Sequence, residues 1–158
     1  MDLDLPVQLL DPAAVVPTYA HPGDAGLDLS ANEDCVLAPG ERAAVGTGLA
    51  VAIPDGWVGL VHPRSGLALR DGLTVANAPG TIDAGYRGEL KILLVNLGSR
   101  EVAIRRGDRV AQLLVQQVGH ARVVVTPSLE DTARGEGGFG STGSQIAAKA
   151  DSVRPGRL

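Results

Sequence analysis

Glu89-Leu90-Lys91-Ile92-Leu93-Leu94-Val95-Asn96-Leu97 is a nearly continuous apolar run. A short run of this kind between turn signals predicts a strand in a sandwich core. Gly80-Thr81-Ile82-Asp83-Ala84-Gly85-Tyr86-Arg87-Gly88 precedes it and Gly98-Ser99-Arg100 follows it. Both flanks are rich in turn-forming residues. Further out, more short extended segments appear: Pro6 to Leu10, Asp34 to Leu37, Arg42 to Ile53, Trp57 to His62, Glu101 to Ile104, Val110 to Val118 and Ala121 to Val125. Ala38-Pro39-Gly40 and Pro54-Asp55-Gly56 punctuate them. Leu73 to Glu89 reads as a hairpin. The spacing predicts an all-β sandwich or barrel rather than alternating βα units. Ser65 to Arg70 is the exception, a single helical turn that Ser65 is placed to cap.

A chain of 158 residues corresponds to one domain and buries a modest core. Apolar residues make up 44%, which excludes general disorder. Aromatic residues make up only 3%, so Trp57, Tyr19, Tyr86 and Phe139 are scarce and a ring on a turn or tail stands out. The net charge of −4 argues against non-specific nucleic-acid binding, which is chiefly electrostatic. It leaves room for a small phosphate ligand held by local arginines and backbone N–H groups. The single Cys35 excludes an intrachain disulfide and a thiolate-rich zinc site, and it reads as a buried inert thiol. Neither a secretory signal nor a membrane-spanning stretch is legible, so a cytoplasmic protein is expected. From Leu129 onward the chain turns Gly-, Ser- and charge-rich.

The turns carry the chemistry. Asp83 is either a turn acid bonding its own backbone or a general base for a water within hydrogen-bond reach. Tyr86, between Gly85 and Arg87, fits no obvious core pattern. Asn77 lies on the facing arm of the expected hairpin. Arg64-Ser65-Gly66 offers a guanidinium, a hydroxyl and N–H donors, the elements of a phosphate site or of a plain surface turn. Gln112 interrupts a strand face. Asp24 and Asp28 bracket Gly26, either as solvated turn acids or near a metal. Arg134 and Phe139 stand among glycines and hydroxyls in a segment that otherwise reads as a free tail.

Five segments share this character: Asp24-Ala25-Gly26-Leu27-Asp28-Leu29, Pro63-Arg64-Ser65-Gly66-Leu67-Ala68, Gly80 to Glu89, Gly107-Asp108-Arg109-Val110-Ala111-Gln112-Leu113, and Arg134 to Gly143. In this order they resemble the motif set of the trimeric deoxyuridine triphosphatases (dUTPases), and the likeness spans about Val7 to Gly143. It implies a distorted jelly-roll or β-barrel domain over residues 1–128. A glycine-rich arm over 129–147 would close the active site, and 148–158 would be a disordered tail. The implied reaction is hydrolysis of dUTP to dUMP and pyrophosphate, which limits uracil entry into DNA and supplies dUMP for thymidylate synthesis.

By this resemblance Asp83 positions the attacking water, Tyr86 packs on the deoxyribose and Asn77 lies near the uracil. Arg64, Ser65 and Gly66 hold the β- and γ-phosphates, and Gln112 contacts the α-phosphate. Thr81 and Lys91 join the substrate contacts. On the arm, Arg134 meets the γ-phosphate, Phe139 stacks on uracil, and Gly140, Ser141 and Thr142 complete the closure. Mg²⁺ is the implied cofactor, carried mainly by the triphosphate, with Asp28 touching metal-bound water and no direct protein ligand. The implied assembly is a homotrimer with sites shared between subunits.

The related dCTP deaminases, or a bifunctional enzyme of the same fold, are the nearest competitor. They require a glutamate at the base and a different run after the Arg-Ser pair, where this chain has Ser65-Gly66-Leu67-Ala68. A non-catalytic protein-binding β-domain is a third reading, disfavoured by intact Asp83, Arg64 and Gln112.

Overall fold

The computed structural model describes residues 3–138. Eleven strands and one helix follow each other in the order β1 (Val7–Leu9), β2 (Leu27–Ser30), β3 (Cys35–Leu37), β4 (Arg42–Gly46), β5 (Leu49–Val51), β6 (Trp57–His62), α1 (Ser65–Asp71), β7 (Leu73–Val75), β8 (Gly80–Ile82), β9 (Lys91–Asn96), β10 (Val102–Ile104) and β11 (Arg109–Gln117). All named pairings are antiparallel. They build a four-stranded sheet β2-β11-β6-β8, a three-stranded sheet β4-β9-β7 and the pairs β1-β5 and β10-β3. This is the all-β, distorted jelly-roll architecture expected from the sequence.

The apolar run Glu89 to Leu97 becomes β9, the central strand of its sheet. Its burial alternates: Ile92, Leu94 and Asn96 are buried, while Lys91 and Leu93 are exposed. One face of the strand therefore feeds the core, and Leu93 lies on the other. Ile92 and Leu94 pack with Leu29, Leu37, Val61 and Leu113 into one apolar cluster between the sheets. Asn96 is fully buried but satisfied. Its Nδ2 donates to Leu37 O (2.9 Å) and Arg100 O (2.7 Å), and its Oδ1 accepts from Gly98 N (2.8 Å). One side chain thus fixes the short connection between β9 and β10.

Several expectations change. Arg42 to Ile53 is two strands, broken at Gly48, whose φ of 69° suits glycine. Leu73 to Glu89 is not a hairpin: β7 pairs with β9 and β8 pairs with β6, so this segment crosses from one sheet to the other. Leu27–Ser30 is a strand that was not among the expected segments, because its alternation covers only four residues beside the turn-forming Gly23, Asp24 and Gly26. The helix has Arg64 as its N-cap, in extended conformation, and Ser65 makes no capping bond. At the other end Gly72 takes the left-handed conformation and donates to Ala68 O. Cys35 is half-buried, and burial pushes its thiol pKa up.

The chain divides into two compact units, Met1–His120 and Ala121–Leu158. Ala121 to Val125, expected as a strand, forms none, and Val123 and Val125 are strongly exposed. In the second unit, Arg134 Nε donates to Gly137 O (2.8 Å) and Gly135 N donates to Thr132 Oγ1 (3.1 Å), closing a turn. No helix among the described residues is long and apolar enough to cross a membrane.

Candidate active site

The four-stranded sheet sets three polar side chains in a row. Pairing of β2 with β11 places Asp28 opposite Gln112, and pairing of β11 with β6 places Gln112 opposite His62. The chain leaving β6 then brings Arg64 beside this row. Arg64 Nε lies 3.1 Å from Asp28 Oδ1. A register irregularity between Arg109 and Ala111 accompanies the arrival of a second guanidinium, and Arg109 Nη1 lies 3.0 Å from Asp28 Oδ2. Arg64 Nη1 also donates to Arg109 O (3.2 Å). One carboxylate thus holds two arginines, leaving a net positive charge at the surface of the cleft.

Gln112 Nε2 donates to Pro63 O at 3.0 Å. This bond ties the start of the Arg64-Ser65-Gly66 turn to β11. Gln112 also packs directly over Gly26, where an added Cβ would collide with its side-chain oxygen. That close approach explains a glycine between Asp24 and Asp28. Together these groups line a cleft of about 780 Å³, with Asp28, Arg64, Ser65, Gly66, Arg109 and Gln112 among its walls. The first helical bond of α1 runs from Leu67 N to Arg64 O, so the N–H groups of Ser65 and Gly66 precede the helical ladder. Guanidiniums, an amide, a hydroxyl and these N–H groups form a donor set suited to phosphate oxygens.

A second, smaller pocket of about 300 Å³ opens where β8 and β9 diverge. Asp83 follows β8 directly and is exposed. Tyr86 N donates to Asp83 O (3.0 Å), which folds the chain back, and Tyr86 Oη donates to Glu89 O (2.9 Å). Asn77, Thr81, Asp83, Tyr86 and Lys91 line this pocket together with Glu89 and Leu93. Gly80 adjoins Asn77, whose side-chain nitrogen lies 3.4 Å from the position of a Cβ there. The pocket offers an exposed carboxylate, an aromatic wall and an amide.

The candidate residues therefore fall into two clusters. Asp28, Arg64, Ser65, Gly66 and Gln112 meet in the larger cleft, and Asn77, Thr81, Asp83, Tyr86 and Lys91 meet in the smaller pocket. Arg134 belongs to the second unit, while Phe139, Gly140, Ser141 and Thr142 lie outside the described residues. Arg109 is the residue that sequence reasoning overlooked. It stands inside the Gly107 to Leu113 segment, but its part depends on Asp28, which is 81 positions away. Among the described residues no three His, Cys, Asp or Glu side chains gather to hold a metal.

An all-β barrel with a guanidinium-lined cleft and a separate pocket bearing a carboxylate and a ring defines a protein built to hold an anionic, partly aromatic small molecule. Comparison with known proteins gives the family. The dUTPase family model matches residues 13–143. Deoxyuridine 5'-triphosphate nucleotidohydrolases from Thermobifida fusca (58% identical over 92% of this chain and 82% of the relative), Nocardia farcinica (60%, over 90% and 87%) and Mycobacterium leprae (56%, over 93% and 99%) are similar. Among solved structures, the Staphylococcus bacteriophage 80alpha dUTPase bound to dUPNHPP superposes with a TM-score of 0.84 at 32% identity, covering 89% of this chain and 99% of that one. A mutant dUTPase of phage phi11 of S. aureus, described with a structural Mg(II) ion, gives 0.75 at 30% identity, over 82% and 100%. The chain belongs to the dUTPase family.

Proposed function

We propose that this chain hydrolyses dUTP to dUMP and pyrophosphate, with the site residues acting as follows. The observation that carries the assignment is the pair of pockets: one is lined with phosphate donors, and the other holds an exposed carboxylate beside an aromatic ring. The Arg64 and Arg109 guanidiniums, Ser65, Gly66 and Gln112 bind the triphosphate. Asp83 orients water for attack on the α-phosphorus and accepts its proton. Donors aimed at the phosphates stabilise the charge that builds on the departing pyrophosphate. Asn77 and Thr81 lie at the base and Tyr86 at the sugar, where a 2′-hydroxyl would clash or be buried without a partner. Lys91, at the pocket's edge, adds a cation near the substrate.

Mg²⁺ fits this site as an ion carried on the triphosphate. Asp28 Oδ2 accepts from Arg109 and Oδ1 is ion-paired with Arg64, yet a carboxylate has further lone pairs to receive a metal-bound water. When bound, the ion would neutralise phosphate charge.

The two pockets share no lining residue on one chain, which supports a site completed by another copy, in a homotrimer with shared active sites. Arg134, Phe139, Gly140, Ser141 and Thr142 then close over the nucleotide and exclude bulk water. Such a reaction lowers dUTP, and with it uracil entry into DNA, while supplying dUMP in the cytoplasm. The deciding experiment is a product assay on a panel of nucleoside triphosphates with Mg²⁺. Pyrophosphate and dUMP from dUTP establish the activity. Ammonia from dCTP would establish the deaminase instead.

A further inference from the structure

Tyr86 is 44% exposed on a glycine-containing turn. An exposed side chain normally exchanges rotamers within nanoseconds. A moving ring is a poor steric wall, and discrimination against an added hydroxyl requires a wall that stays in place. The structure answers this with contacts outside the residues assigned above.

We propose that Gly88 and Glu89 are positioning residues for sugar selection, because they clamp the Tyr86 ring in one pose. The inference rests on the reading of Tyr86 as the sugar-facing ring. Three observations carry it. First, the phenol end of the ring lies over Gly88. A Cβ there would collide with Tyr86 Oη and would stand only 2.7 Å from Cζ and 3.1 Å from Cε2. Only glycine leaves the ring this seat.

Second, the far end of the ring is tethered, since Tyr86 Oη donates to the Glu89 carbonyl at 2.9 Å. Third, Glu89 is itself anchored to the barrel. Its Oε1 accepts from Gly48 N at 3.0 Å, and its Oε2 lies 3.7 Å from Lys91 Nζ. Gly46 makes space for that carboxylate, because a Cβ at Gly46 would be 2.7 Å from Glu89 Oε1. Leu90 N, next in the chain, donates to Leu49 O at 2.8 Å. The connection between β4 and β5 thus holds Glu89, and Glu89 and Gly88 hold the ring.

The test is the ratio of kcat/KM for dUTP to that for UTP. It is measured in the full chain and in G88A, E89A, E89Q, Y86A and the double variant G88A/Y86A, with thermal melts alongside. Y86A and G88A should each lower the ratio, by roughly ten-fold or more. Adding G88A to Y86A should lower it no further, since Gly88 acts only through the ring. E89A should lower the ratio and E89Q should keep it, because the amide oxygen still accepts from Gly48 N–H. If Y86A collapses the ratio while G88A and E89A leave it intact, the clamp is wrong and the Tyr86 reading stands. If G88A lowers the ratio equally with and without the tyrosine, Gly88 acts on the fold and the clamp is wrong. If Y86A itself leaves the ratio unchanged, the sugar reading of Tyr86 falls and the clamp falls with it. Should G88A fail to fold, E89A against E89Q decides, and equal ratios in these two overturn the proposal.

Discussion

Asp28 and Arg64 form an ion pair across the sheet, Oδ1 to Nε, at 3.1 Å, with both side chains partly buried. The pair uses the inner edge of the guanidinium and leaves part of its outer fork for a ligand. Arg64 Nη1 is further tied to Arg109 O. A lysine carries the same charge but has no planar fork to serve a carboxylate, a carbonyl and a phosphate together. Arg64→Lys should therefore lower kcat/KM for dUTP by about 10- to 100-fold, the worth of one charge-assisted hydrogen bond. The thermal midpoint should change little. Steady-state kinetics and a melt check both, and a near-normal kcat/KM would show that charge alone suffices.

Asp83 carries the proposed proton transfer. Asp83→Asn keeps the shape of the pocket and removes the base. It should retain nucleotide binding and lose turnover by ~10²–10⁴-fold. Measuring kcat and the nucleotide Kd separately decides the point, and an ordinary kcat would remove Asp83 from its role.

The separation of the two pockets predicts assembly. Mass measurement in solution should give a trimer. Mixing Asp83→Asn subunits with subunits truncated before Arg134 should restore part of the activity, because some mixed sites then combine an intact Asp83 from one subunit with an intact arm from its neighbour. An active monomer would reject the shared site.

The segment from Arg134 to Gly143 should act on catalysis and not on folding. Deleting from Arg134 onward should leave the β-domain melting near its original temperature and sharply reduce kcat/KM. Phe139→Ala should cost less than the deletion, ~1–3 kcal/mol, as expected for one base–ring stack. An unchanged kcat/KM after deletion would make the segment a solvated terminus.

Asn96 gives a prediction about stability. Asn96→Ala removes the partner of two carbonyls and one N–H, with the bond to Leu37 O buried and the other two part-buried. An orphaned buried group such as the Leu37 carbonyl costs about 1–3 kcal/mol, so a clear drop in urea midpoint should follow. A midpoint within error of the original would mean that water replaces the amide.

The sequence alone was enough for the class of fold and for the inventory of chemical groups. Short apolar runs cut by glycine and proline announce strands, because alternation and turn chemistry are local properties. Asp83, Tyr86 and Arg64 stood out for the same reason: each is a reactive or aromatic group on a turn that a core does not need. What the sequence could not decide depended on pairing between distant strands. The Leu73 to Glu89 segment has hairpin composition, yet its two strands join different sheets, β7 on the edge of β9 and β8 on the edge of β6. Leu27–Ser30 alternates over too few residues to stand out, and only pairing with β11 shows why its acid is there. The same pairing brings Arg109 to Asp28. The seat of Tyr86 on Gly88 is likewise invisible in a list of residues. Composition is written along the chain, whereas contacts between segments dozens of residues apart exist only once the sheets have closed.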